Sequence, residues 1–249
     1  MKFSPFFAWL KARPGLWLSY LAIVAIGTSS FFFFRFPLNF TKVIGRKNVP
    51  KKGRRVLFVC NHLTMYDSFL IVISAYYPSM FTRPSRTPIN FADAKNFFTT
   101  WYISLLLRLL RTIPVYSRKD PKLLKLYNKL IEKNNLLIFF QGTRSEDLEL
   151  IKNGPGYIIA TATEPLTVIP VFHEGIERIF SRGGPKTLGL WRWLPRNFFR
   201  RPVVKFGQAI DFTEELKIQD LGDKINSINQ KIIGSVLYLK MQDPSQSCN

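Results

Sequence analysis

The stretch "RVLFVCNHLTMYDSFLIVIS", residues 55–74, decides how the chain folds. Its first six residues, 55–60, read as a strand buried on both faces, five consecutive apolar side chains behind Arg55. Four residues later a second apolar segment, spaced to predict a helix over 65–74, begins behind Thr64 and Asp67. A strand, a short loop and a helix are the opening of a parallel βα unit, and the loop falls at the strand's carboxyl end, where sites in open α/β sheets collect.

The same alternation continues outward. "PINFA" (88–92) and "TIPVY" (112–116) read as strands, with a helix over 95–110 between them. Asp120 and Pro121 supply an N-cap and a first helical residue for "KLLKLYNKLIEK", which should stop near Asn134. "LLIFF" (136–140), "LTVIPVF" (166–172) and "PVVKF" (202–206) predict three more strands, with a short helix near 157–163 and a closing helix over 221–240. The expected fold class is therefore α/β, a mostly parallel sheet flanked by helices, with an N-terminal membrane-associated helical segment over 1–40 and the remaining domain over 41–249.

That N-terminal assignment rests on "LWLSYLAIVAIGTSSFFFF" (16–34), 19 residues without a charge. As one helix it would reach about 28 Å, enough to cross a bilayer core. Gly27, Thr28, Ser29 and Ser30 interrupt it, so two shorter helices dipping into one leaflet are the alternative. Eight basic residues and no acidic one follow between Arg35 and Arg55, and a second patch, "WRWLPRNFFRR" (191–201), interleaves aromatics with arginines. With 36 Lys and Arg against 16 Asp and Glu, net +20, a large surface should face something anionic. An acidic membrane fits both patches; single-stranded nucleic acid fits the second but brings no accompanying motif. Cys60 and Cys248 make no disulfide framework, which suits a reducing compartment, and no metal-type spacing is present.

Chemistry concentrates in the loop after the first strand. His62 is one of two histidines in the chain, and Asp67 lies five residues on. In continuous helix the two would point about 140° apart, but a loop lets the carboxylate orient the imidazole and leave its second nitrogen as a general base. The competing reading makes "TMYD" a capping pattern, with Thr64 as N-cap and Asp67 at the third helical position. After "LLIFF" comes "QGTRS" (141–145), where Gly142 permits close backbone approach, Thr143 offers a hydroxyl and Arg144 a bidentate phosphate donor; an ordinary turn with a surface arginine explains the same letters. His173 has no partner legible in sequence and reads as structural.

Taken in order, "VIGRKNVP" with "VLFVCNHLTMYDSF", then "TIPVYSR", "FFQGTRS" and "VIPVF", resemble the blocks of the 1-acylglycerol-3-phosphate acyltransferase family. The likeness runs from about residue 40 to 210. It implies transfer of an acyl group from a thioester to a lysolipid hydroxyl, most directly 1-acylglycerol 3-phosphate, with His62 and Asp67 as the catalytic pair. It also implies that Arg118, Gln141, Gly142, Thr143 and Arg144 bind the acceptor. No cofactor is implied; acyl-coenzyme A or acyl-acyl carrier protein is the co-substrate, membrane lipid the partner, and the cytoplasmic face the location. Three positions depart from the family pattern: Gln141 replaces a glutamate, Phe140 a proline, and Arg111 a glycine in a second block whose arginine, Arg118, falls one residue late. These departures leave another lysolipid acceptor, glycerol 3-phosphate, or lipid binding without catalysis open.

Overall fold

The computed structural model describes residues 13–117, 121–180 and 194–242. Seven strands are present among them: β1 (Lys42–Ile44), β2 (Val56–Cys60), β3 (Asn90–Asp93), β4 (Thr112–Val115), β5 (Leu136–Phe139), β6 (Thr167–Glu174) and β7 (Val203–Phe206). Five of them form the main sheet in the order β1-β7-β6-β2-β5. β2 runs parallel to both β5 and β6, β1 runs parallel to β7, and the β6–β7 pair is antiparallel. The expected mostly parallel sheet is therefore present, with β2 between β6 and β5 and all five residues of that strand buried.

Alternation along the strands sorts the core into two layers. Val56, Phe58 and Cys60 face one cluster with Leu137, Ile169, Val171 and Val204. Leu57 and Val59 face the other, with Leu136, Ile138 and Val168. The first layer is covered by α1 (Arg13–Phe34) and α2 (Asp67–Tyr76), and the second by α5 (Pro121–Ile131), α6 (Asn153–Ala160) and α8 (Leu221–Met241). Two short helices lie between β3 and β4, α3 (Ala94–Phe97) and α4 (Trp101–Leu109), and α7 (Thr213–Leu216) precedes α8.

Several expectations are corrected. The predicted helix over 95–110 is broken between α3 and α4 at residues 98–100. The strands read at 88–92 and 112–116 pair with each other in a separate two-stranded sheet, tied to the main one by a bridge from Ile89 to Leu136. Strand β1, on the sheet edge, is three residues of no distinctive pattern and was not expected. The apolar N-terminal segment, by contrast, is the single helix of the first reading and not the alternative pair, 22 residues and about 33 Å long. Glycine and serine fail to break it because they meet a neighbour: a Cβ on Gly27 would come within 2.5 Å of the Met80 side chain. Ser29 returns its hydroxyl to the Ala25 carbonyl at 2.9 Å.

The Arg111 departure also receives a structural account. Its φ of 61° lies in the left-handed region that favours glycine. The guanidinium offsets that strain by donating to the carbonyls of Ser85 and Thr87, both at 2.6 Å, and to Asn134 Oδ1 at 2.7 Å. Burial, with Arg54 nearby, lowers its pKa to about 10, so it stays charged at neutral pH. Arg111 therefore staples the loop before β3 and spends its donors on that loop.

Candidate active site

The carboxyl ends of three adjacent strands, β6, β2 and β5, deliver the candidate residues to one place. β2 ends at Cys60 and releases His62; β5 ends at Phe139 and releases Gln141 to Arg144; β6 carries His173 near its end. The loop from residue 61 to 66 lets the chain reverse before α2 begins at Asp67.

His62 Nδ1 lies 2.9 Å from Asp67 Oδ2. A carboxylate oxygen only accepts, so Nδ1 carries the hydrogen and Nε2 keeps its lone pair. Among the described residues Nε2 has no hydrogen-bond partner, and the ring is stacked on Phe139 at 4.1 Å, its planes 15° apart. The His62 side chain is 20% exposed whereas that of Asp67 is fully buried, so the imidazole reaches solvent and the carboxylate does not.

Asp67 is held by more than His62. Oδ2 accepts from the Leu63 amide at 2.6 Å, Oδ1 accepts from the Thr64 hydroxyl at 2.6 Å, and the Thr64 amide is 2.9 Å from both oxygens. The Thr64 hydroxyl accepts in turn from the Tyr66 amide at 3.2 Å. Burial by itself would raise the pKa of this carboxyl, but His173, then His62 and Thr64, outweigh it and hold it below the ordinary carboxylate value. The capping reading of "TMYD" is corrected: α2 starts at Asp67, two residues later than expected, its N-cap is Tyr66 with no side-chain cap bond, and the Asp67 carboxylate instead gathers the loop amides before the helix.

Gln141 is corrected. The sequence reading placed it against the acceptor, yet it is fully buried. Its Oε1 accepts from the His62 amide at 2.6 Å, and its Nε2 donates to the carbonyls of Ser145 and Asp147 at 2.9 and 2.6 Å. The Ser145 amide completes the brace by donating to the His62 carbonyl at 2.9 Å. Both ends of the amide are used within the protein, so Gln141 ties the turn after β5 to the loop carrying His62. An amide suits this place because it must accept from one side and donate to the other. Gln141→Glu would set a carboxylate against two backbone carbonyls at an estimated cost of about 3 kcal/mol. We expect a lower thermal unfolding midpoint with unchanged acceptor preference, measured on a panel of acceptors; a changed preference would return Gln141 to the binding surface.

Gly142 takes φ 69°, and Thr143 and Arg144 are exposed on the turn that Gln141 braces. Among the described residues no ion pair engages Arg144. Arg118 lies outside the described residues, as do Trp191 and Trp193 of the second basic patch. Sequence reasoning missed two contributors. Asn61 exchanges hydrogen bonds with the backbone of His173, its Nδ2 donating to the His173 carbonyl and its Oδ1 accepting from the His173 amide, both at 2.9 Å. His173 also brings its ring within 3.6 Å of Asp67. The signal for both was the rule that located His62, since each stands at the carboxyl end of a strand. Among the described residues no group of His, Cys, Asp and Glu is arranged to hold a metal ion.

The family profile described as Acyltransferase matches residues 40–174, more than half of the chain and the whole of the β2-to-β6 region. Among solved structures, the crystal structure of the 1-acyl-sn-glycerophosphate (LPA) acyltransferase PlsC from Thermotoga maritima is similar in fold, with a TM-score of 0.58 at 18% sequence identity. The match covers 95% of this chain and 87% of that one. No curated protein matches the sequence.

Proposed function

This chain belongs to the acyltransferase family, and from that premise we propose that it is membrane-bound and transfers a fatty acyl group from acyl-coenzyme A or acyl-acyl carrier protein to the hydroxyl of 1-acylglycerol 3-phosphate, giving phosphatidic acid. The observation that carries the reading is the His62–Asp67 pair at 2.9 Å, on a partly exposed imidazole, with the Gly142–Arg144 turn braced to the same loop.

The chemistry follows from the tautomer. The acceptor hydroxyl attacks the thioester carbonyl carbon while His62 Nε2 takes its proton, so the imidazole becomes an imidazolium whose Nδ1–H faces Asp67. The carbon–sulfur bond then breaks, the thiolate leaves, and the proton returns from Nε2 to sulfur. An ester has formed and a thioester has been lost, without a covalent enzyme intermediate. Exposed Arg144, beside Gly142 and Thr143, would hold the acceptor's phosphate, with Arg118 as a second cation. An apolar cleft lined by Ile23, Ile26 and Gly27 of α1 and by Ser68, Phe69 and Val72 of α2 suits a lipid chain. From the stretch 101–110 only Leu110 borders that cleft, whose wall comes mostly from α1 and α2.

The membrane part of the proposal is supported by how α1 is attached. Ser19 donates to the Leu109 carbonyl at 2.6 Å, Tyr20 to the Phe81 carbonyl at 2.9 Å, and Phe31 stacks on Tyr77 at 3.8 Å. A helix fastened along its length to an α/β domain lies in the interface rather than crossing it. Its outer face shows Trp17, Leu18, Leu21 and Phe32, and α4 adds Trp101, Tyr102, Leu105 and Leu106. We expect Trp101→Glu with Leu105→Glu to weaken co-sedimentation with anionic vesicles by roughly tenfold or more. Activity on detergent-dispersed substrates should stay within about twofold of wild type; unchanged vesicle binding would remove α4 from the contact.

The function itself is tested with purified protein in detergent, a radiolabelled acyl thioester and a panel of lysolipids and glycerol 3-phosphate. Transfer to 1-acylglycerol 3-phosphate by wild type is expected. Folded protein that acylates no acceptor overturns the enzyme reading, and preference for another acceptor overturns the assignment of the lipid.

A further inference from the structure

We propose that His173 is a positioning residue of the acyl-transfer site, a second imidazole behind the Asp67 carboxylate that limits how much of its charge reaches His62. The proposal rests on His62 being the base of acyl transfer.

His173 is fully buried near the end of β6, on the face shared with Ile169 and Val171. Its Nε2 is 2.9 Å from the Asn61 carbonyl and 3.6 Å from Asp67 Oδ2. The Asn61 carbonyl only accepts, so Nε2 carries the hydrogen and donates it to that carbonyl, with the carboxylate oxygen a longer 3.6 Å from the same nitrogen. Among the described residues the other nitrogen, Nδ1, is buried without a hydrogen-bond partner. Leaving a buried polar atom unsatisfied is costly, and an apolar side chain on this strand would avoid the cost. Here the cost coincides with an N–H placed behind the carboxylate that orients His62.

Both imidazoles reach the same oxygen: Asp67 Oδ2 accepts from His62 Nδ1–H at 2.9 Å and lies 3.6 Å from His173 Nε2. The surrounding titratable groups are few. Cys60 ends β2, its thiol pushed well above the ordinary value by burial. Lys205 of β7 sits opposite Phe172 and donates to the Leu239 and Gln242 carbonyls of the far layer, while Glu174 is exposed. Asp67 is therefore the charge that His173 feels, and His173 reaches the reacting atoms only through Asp67 and Asn61.

Removing the N–H leaves more of the carboxylate's charge facing His62 and favours its protonated form. For His173→Leu we expect the acidic limb of the kcat/KM profile to move up by about half a pH unit, and kcat to fall roughly tenfold with KM little changed. His173→Gln keeps a donor near the Nε2 position and should restore both. A merely structural role would lower the yield of folded enzyme and leave the limb in place. Because the chain has two histidines, the imidazole ¹⁵N spectrum of labelled wild type in detergent holds two sets of ring signals, assigned with His62→Asn. His173 should show a protonated Nε2 and a bare Nδ1, and Asp67→Asn should move both histidines. A proton on Nδ1, a His173 signal indifferent to Asp67, or an unmoved acidic limb in folded His173→Leu each overturns the proposal. If the leucine variant does not fold, the wild-type spectrum and the glutamine variant decide. The spectrum also separates this proposal from the enzyme reading, since it is recorded whether or not acyl transfer is detected.

Discussion

Replacing His62 with alanine is expected to lower kcat for acyl transfer by ~10³-fold or more, the scale of losing a positioned general base together with the contacts that orient it. Protein and vesicle binding should be retained, for reasons visible in the site. The side chain is partly exposed, and its removal exposes one face of Phe139 without opening a closed core cavity. Asp67 loses one donor but keeps the Leu63 and Thr64 amides and the Thr64 hydroxyl, so no buried charge is left bare. The backbone bond from the His62 amide to Gln141 survives any side-chain change. The expected pattern is a folded protein with intact membrane affinity and almost no turnover, read by steady-state transfer and vesicle co-sedimentation. Transfer within tenfold of wild type would show that another group takes the acceptor's proton.

Why His62 was legible and Gln141 was misread is a matter of what spacing encodes. A strand of five buried residues followed by a polar loop fixes where the chain leaves the sheet, so position at the carboxyl edge could be read from Val56 to Cys60 alone. The direction of a side chain within a turn cannot be read that way. Gln141 and Arg144 are three residues apart in one segment; a left-handed Gly142 between them sends one inward to three protein partners and leaves the other in solvent. Pairings distant in sequence were equally hidden. Asn61 and His173 are 112 residues apart and meet because β2 and β6 are neighbours, a fact of sheet order rather than of either segment. Arg111 shows the converse: its glycine-like φ is set by the turn before β4, and a residue read as a lost binding feature is a fastening for residues 85–87. Where local periodicity and tertiary packing agreed, as in the α/β alternation and the terminal helix, the reading held. It did not at residues 98–100, where the helix read over 95–110 is broken into α3 and α4.

Asp67→Asn should be at least as damaging to turnover as His62→Ala, and unlike it should also destabilise the fold. An asparagine amide presents an NH₂ group to a site built from donors: the His62 Nδ1–H, two backbone amides and the Thr64 hydroxyl all point at this carboxylate. If the amide oxygen keeps the backbone donors, its nitrogen donates to His62 Nδ1, the ring hydrogen moves to Nε2, and the base has no lone pair for the acceptor. A wrong tautomer of this kind costs about 10³–10⁴-fold in kcat. Combining it with His62→Ala should cost little more than either alone, because both remove one unit. The stability loss has its own signature. The folded-state pKa of Asp67 is depressed, so its contribution is fully present above the unfolded-chain value of roughly 3.9 and is lost as pH falls through the lower folded value. Wild type should therefore exceed Asp67→Asn in thermal midpoint at neutral pH, with the gap narrowing below about pH 4 as the carboxylate takes up its proton. A gap constant down to pH 2 would show that the carboxylate's charge does not hold the loop. A double variant losing the full product of the two single effects would show that His62 and Asp67 act separately.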